Sequence, residues 1–268
     1  MSFVSHDELI DQMSDLKAAN VPFIVATVIK TVGSTPREVG AKMIVTADER
    51  MFGTIGGGAV ESRIIEIAKG LLLRPEVMRF EWRLGDPEAG SMLCGGTMEF
   101  LLEPFLARPS AFIFGAGHCG QALARILLGL RFDVTLVDAR DGLDVENAHR
   151  VKALPGDFAA TGDLPHGAYC VIANPTHQFD LETLRGLVSR ELAYVGLMSS
   201  KKKRKEVFGI LACEGVPAER LAAVHCPVGL DIGAQTPEEI AVAIAAEMIA
   251  VLRRNCQAMR RPDAEMQP

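Results

Sequence analysis

The stretch Ala111–Gly120, AFIFGAGHCG, decides how this chain folds. An apolar run ends in G-x-G-x-x-G, and the following QALARILLGL carries apolar residues at helical spacing. That order predicts a strand, a tight turn and a helix. Gly115 lets the chain turn, Gly117 lets a phosphate approach the backbone, and Gly120 lets the helix lie close to the strand. The next apolar run, DVTLVD, ends on Asp138, at the separation expected of a carboxylate that binds a ribose. Further strands are expected at 133–138, 150–154, 169–174 and 193–198, with helical segments between them. The alternation predicts a Rossmann-like, doubly wound parallel sheet over residues 111–268.

Ahead of this half lies enough chain for a second domain, residues 1–104, joined through a linker at 105–110 within EPFLARPS. Its reading is α+β. Ser5 and Glu8 form a capping box for a first helix, and the strand-like runs FIVATVIK, AKMIVTA, MRFEWRL and TMEFLLE follow. One helix, Ala59–Leu72, interrupts them.

Composition narrows the function. Apolar residues make up 49% of the 268, which describes packed cores, and the net charge of −6 argues against nucleic acid as a partner. No apolar leader opens the chain, and the longest apolar helix is interrupted by Glu247, so neither secretion nor a membrane span is expected. The six cysteines form no C-x-x-C pair, which fits free thiols in the cytoplasm. The last helix, capped by Thr236, Pro237 and Glu239, is apolar on nearly every face and is expected to be buried, against the sheet or in a homodimer.

Three segments of the first half carry chemistry. In GTIGGGAVE, Gly56, Gly57 and Gly58 run into a helix, a pattern that cradles an anion on backbone N–H groups, with Glu61 just inside the helix. In TVGSTPREVGA, Ser34 and Thr35 offer hydroxyls and Arg37 a planar fork suited to phosphate. In CGG, Cys94 is a soft ligand suited to a transition metal, beside Gly95, whose amide is unencumbered.

In the second half His118 faces the pyrophosphate position, and Cys119 beside it reads as small filler under the helix. Asp138 and Arg140 are placed for a ribose and for an adenine or an additional phosphate. NPTHQFD puts His177 and Asp180 at the carboxyl end of a strand, the usual ligand crevice of an open sheet. The run KKKRK at Lys201–Lys205 sets five cations at a helix start, against the helix dipole, which favours a bound phosphate or an acidic surface.

Together TVGSTPREVGAKMIV, GTIGGGAVE, CGGTMEFLLEP, FGAGHCGQALA, VDAR, AYVGLM and GLDIGAQTPEEIAVAIAAE resemble the XdhC/CoxI family, the xanthine dehydrogenase accessory proteins. The resemblance runs from about Val21 to Met248 in the family's order. It implies an N-terminal XdhC/CoxI domain, a C-terminal Rossmann domain, and a role in maturing molybdenum hydroxylases. In that role the molybdenum cofactor (molybdopterin) is bound, protected during sulfuration with sulfur from a cysteine desulfurase, and inserted into an apo molybdenum hydroxylase of the xanthine dehydrogenase type. The candidate cofactor-binding residues are Ser34, Thr35, Arg37, Gly56, Gly57, Gly58, Glu61, Cys94, Gly95, Gly115, Gly117, His118, Gly120, Asp138 and His177, with Cys94 also the candidate metal ligand. One departure stands out. Where the family commonly has M-T-H-x-H-x-x-D, NPTHQFD keeps the second histidine as His177 and has Pro175 at the first. Two other readings stay open: an NAD(P)-dependent oxidoreductase built on GAGHCG and Asp138, and a nucleotide-sensing regulatory protein.

Overall fold

The computed structural model describes residues 6–83 and 96–258, with side chains to Arg253. Ser5, Cys94 and Gly95, three residues to which the sequence assigns roles, lie outside them. The chain forms two units, divided between Ala107 and Arg108.

The first unit begins with α1 (His6–Ala18) and β1 (Phe23–Val32), followed by β2 (Lys42–Thr46) and β3 (Met51–Gly53). Helix α2 (Gly58–Leu73), β4 (Met78–Arg83) and β5 (Thr97–Phe105) complete it. Its sheet has the order β3-β2-β1-β5-β4, and every pairing is antiparallel. The first six residues of β1 are all buried, because this central strand is covered on both faces. One face packs Ile24, Ala26 and Val28 against Val60, Ile64, Ala68 and Leu71 of α2, spaced to fall on one helix face. The other sets Phe23 and Val25 against Leu9 and Leu16 of α1. Strand β3 is absent from the sequence reading. At three residues it is too short to show a period, and its pairing with β2 alone defines it.

The second unit holds β6 (Ser110–Phe114), α3 (His118–Gly129), β7 (Asp133–Val137), β8 (His149–Val151) and α4 (Pro155–Thr161). It continues through β9 (Tyr169–Ile172), α5 (His177–Leu187), β10 (Tyr194–Leu197), α6 (Lys201–Cys213), α7 (Ala218–Ala222) and α8 (Pro237–Ala258). The strand order is β10-β9-β6-β7-β8, all parallel. The chain winds outward one way from β6 and then returns to its other side, as a doubly wound sheet does. Helices α3 and α8 cover one face, with Leu123, Leu127, Ile244 and Met248 buried there. The opposite face holds Leu184, Leu187, Val207 and Leu211 of α5 and α6.

Helix α8 starts as its sequence dictates. Glu239 N–H donates to Thr236 Oγ1 and Thr236 N–H donates to Glu239 Oε2, at 3.2 and 3.1 Å. Its burial is one-sided, however: Ala241, Ile244, Ala245 and Met248 are covered while Val242 is 51% exposed. Alanine makes the outer face look apolar on paper without requiring that it be covered. Among the described residues, no helix is long and apolar enough to cross a membrane.

Candidate functional site

In the first unit the segments that carry chemistry meet at the loop Ser34–Arg37. A Cβ at Gly56 would come within 2.8 Å of the Pro36 ring. One at Gly96 would overlap the Ser34 carbonyl oxygen and lie 2.9 Å from Cγ2 of Thr35. Glycine at both positions therefore lets the GTIGGG turn and the start of β5 close on this loop. Thr35 Oγ1 donates to the Arg37 carbonyl at 3.1 Å, bracing the loop from within. Ser34 is exposed, and Thr35 and Arg37 are half-buried.

The glycine turn differs from its sequence reading in one respect. Its amides do not all point outward unencumbered. Glu61, only 8% exposed, turns back under the turn, and its Oε1 accepts from Thr54 Oγ1 at 2.6 Å, Ile55 N at 3.1 Å and Gly57 N at 2.9 Å. Gly56 N donates to Thr54 Oγ1 at 3.3 Å. The carboxylate is thus an internal anion that shapes the loop. What faces outward is the start of α2, where Gly57 and Gly58 have φ of 77° and 62° and no side chain caps the helix. A Cβ at Gly57 would meet nothing within 4 Å. An uncapped helix start with open space before it favours an anionic group.

The second unit places its three signature glycines in three different roles. At Gly115, φ is +107° and a Cβ would strike the Ala173 carbonyl, so the turn needs glycine on both counts. A Cβ at Gly120 would overlap the Gly115 carbonyl, which is the close helix–strand approach. Gly117, at the uncapped start of α3, faces open space. His118 is the first residue of α3 and is exposed. The Cys119 thiol is pushed up by burial and by the Glu238 carboxylate, so the helix start does not activate it.

Asp138 is 4% exposed and engaged by its own chain. Oδ2 accepts from Ala116 N at 2.9 Å and Arg140 Nη2 at 2.7 Å; Oδ1 accepts from Arg140 N and Nε, both at 3.0 Å. Burial pushes its pKa up, but these bonds outweigh burial and bring it down to about 2. The carboxylate that would hold a ribose is occupied by Arg140, whose side chain stays 52% exposed. Sequence spacing reveals the acid but not its partner two residues on.

His177 opens α5 and is exposed, whereas Asp180, one turn later, is 5% exposed. Lys201–Lys205 begin α6 behind Ser200, whose hydroxyl accepts from Lys203 N at 3.3 Å. A further polar group, missed by the sequence reading, joins distant segments. Tyr194 O–H and Gly229 N–H donate to Glu247 Oε2 at 2.6 and 2.9 Å, and His225 Nδ1 lies 3.0 Å from Oε1. Among the described residues no group of three or more His, Cys, Asp or Glu side chains is placed to hold a metal.

Against known proteins, residues 111–248 match the XdhC Rossmann domain and residues 16–81 match the XdhC and CoxI family. The chain belongs to the XdhC and CoxI family. The Escherichia coli K12 protein YqeB, described as uncharacterized, is 34% identical to it over 90% of this chain and 45% of its own length. A Bacillus subtilis protein described as a probable xanthine dehydrogenase subunit is 30% identical over 59% of this chain and 47% of its own length. The XdhC chain thus spans about half the length of the curated relatives it matches. A crystal structure from Bacillus halodurans, described as a xanthine dehydrogenase, shares the fold at 20% identity and a TM-score of 0.51, covering 96% of this chain and 98% of that one.

Proposed function

We propose that this XdhC-family chain matures a xanthine dehydrogenase-type molybdenum hydroxylase. It binds the molybdenum cofactor, shields it while a cysteine desulfurase supplies sulfur, and delivers it to the apo-enzyme. Family membership and the Bacillus subtilis relative described as a probable xanthine dehydrogenase subunit support the role. The observation that carries the binding site is the convergence of Ser34–Arg37, Gly56–Gly58 and Gly96, with the α2 start open at Gly57. A phosphorylated pterin suits that arrangement. Gly58 and Arg37 would hold the phosphate, and Glu61, which already accepts the Gly57 N–H, would keep the turn in shape. The cofactor supplies the metal chemistry; the chain supplies positioning and shelter from water.

A molybdopterin retention assay tests this. The purified chain is incubated with released cofactor, desalted, and oxidised to the fluorescent pterin. Near-stoichiometric retention is expected, and Arg37→Ala should weaken it about tenfold, the effect of losing a charge-assisted hydrogen bond. No retention by the wild-type chain would overturn the reading. A second reading, a nucleotide sensor or NAD(P)-dependent oxidoreductase, draws on the open α3 start at Gly117. It meets an obstacle in Asp138, which Arg140 already holds through both oxygens. Saturable NAD(P) binding without cofactor retention would favour it.

A further inference from the structure

Among the described residues, the second unit buries three side-chain oxygen atoms without a hydrogen-bond partner: Asn174 Oδ1, Asp180 Oδ1 and Ser199 Oγ. They belong to one place. Strands β9 and β10 run side by side, Leu197 beside Ile172, and Met198 N donates to the Ile172 carbonyl at 2.9 Å. Asn174 and Ser199 therefore follow the carboxyl ends of two neighbouring strands. Asn174 Nδ2 donates to Thr183 Oγ1 of α5 at 3.1 Å. The Asp180 carboxylate, one turn before Thr183, is hydrogen-bonded by Asn174 and feels the charge of Lys203 at the start of α6, which leaves Oδ1 as its unpartnered oxygen. Pro175, Thr176 and His177, which lie between Asn174 and Asp180 in the chain, are exposed. Buried acceptors are normally paired, so three at one strand edge point to a ligand that brings donors.

The surrounding charge narrows the ligand class. The starts of α5 and α6 and the Lys203 ammonium bring positive charge to Asp180, and the Arg204 guanidinium opposes the Asp180 carboxylate at Cys226. A metal ion, ammonium or guanidinium would be repelled there. A neutral planar edge with several N–H bonds in a row would not, and a 2-amino-4-oxopyrimidine presents such an edge, with a ring N–H beside an amino group. We infer that this recess reads the 2-amino-4-oxopyrimidine edge of a pterin or guanine ligand. Asp180 Oδ1 accepts from the amino group, and Asn174 Oδ1 and Ser199 Oγ take the remaining donors. Burial pushes the Asp180 carboxyl up to about 6, against Asn174 and Lys203, and N–H donors would stabilise its ionised form. The pterin source rests on the maturation reading; the guanine source does not.

Calorimetric titration of the full chain with GMP, IMP, XMP and pterin-6-carboxylate tests the inference. The wild type should bind GMP, the pterin or both, and GMP about tenfold more tightly than IMP, which lacks the amino group. Asp180→Asn replaces a pure acceptor with a donor and an acceptor. It should lower GMP affinity about tenfold and raise that for XMP, whose oxygen replaces the amino group. A fold-disrupting role for Asp180 would give no such exchange of preference. Ser199→Ala, a smaller change, should weaken GMP or pterin binding without reversing it. Binding of the pterin alone assigns the recess to a pterin, and binding of GMP alone to a guanine nucleotide. Binding of neither, or equal binding of GMP and IMP unchanged by Asp180→Asn, overturns the inference. Pterin-6-carboxylate binding that Asp180→Asn leaves unchanged overturns the pterin assignment and leaves the maturation reading, which molybdopterin retention tests separately, standing. A GMP-to-XMP switch in a chain that retains no molybdopterin does the reverse.

Discussion

Glu61→Ala destabilises the first unit by roughly 3–5 kcal/mol, because three donors lose one acceptor at once. Thr54 O–H, Ile55 N–H and Gly57 N–H all converge on Glu61 Oε1, and the side chain is 8% exposed. Ile55 is fully buried, so its N–H cannot turn to water when the carboxylate goes. For a unit of this size the loss corresponds to a melting shift on the order of 10–20 °C. The chain carries a single tryptophan, Trp82 in β4, so its fluorescence follows the first unit. The Trp82 transition should move while the second unit's amide-exchange protection does not. A shift corresponding to less than about 1 kcal/mol would show that the turn holds its shape without Glu61. Molybdopterin retention should fall with it, since the start of α2 is positioned by the same turn.

Asp138→Ala costs the second unit about 2–3 kcal/mol. The carboxylate accepts four hydrogen bonds from Ala116 and Arg140, and removing it strands the buried Ala116 N–H. The Arg140 side chain, half exposed, regains water, which keeps the loss below that of a fully buried pair. The sign of the pH dependence follows from the lowered pKa. The unfolded carboxyl binds its proton near 3.8 and the folded one near 2, so the stabilisation is present above 3.8 and is lost as pH falls toward 2. Acid unfolding followed by amide exchange at β6 and α3 should show that slope in the wild type and lack it in Asp138→Asn. An unchanged acid slope in Asp138→Asn would mean that other carboxyls set it.

The architecture of the second unit was legible because its signals are local. G-x-G-x-x-G can do little else between an apolar run and a helical one, and the roles of Gly115, Gly117 and Gly120 follow from backbone crowding. The antiparallel first unit was legible as strands but not as an order. Its central pairing joins β1 to β5 across more than half of the unit, and its third strand has three residues. Side-chain partnerships were the least legible. Glu61 and Asp138 look like ligand-facing acids at their motif positions, yet each is satisfied by neighbours that only the folded backbone brings near. The bond from Tyr194 to Glu247 spans 53 residues and leaves no local trace. The recess of Asn174, Asp180 and Ser199 shows the same limit. NPTHQFD marked its strand end, while burial and the lack of donors appear only in the fold.

The most direct test of the maturation role is the cofactor content of the client enzyme. The host's own xanthine dehydrogenase-type enzyme is purified from cells with and without this chain, and molybdenum and molybdopterin are measured per polypeptide. Without the chain, the polypeptide should accumulate normally but carry much less cofactor. The wild-type chain should restore its content, and Arg37→Ala should fail to. Equal molybdenum and molybdopterin per polypeptide with and without the chain would contradict the account.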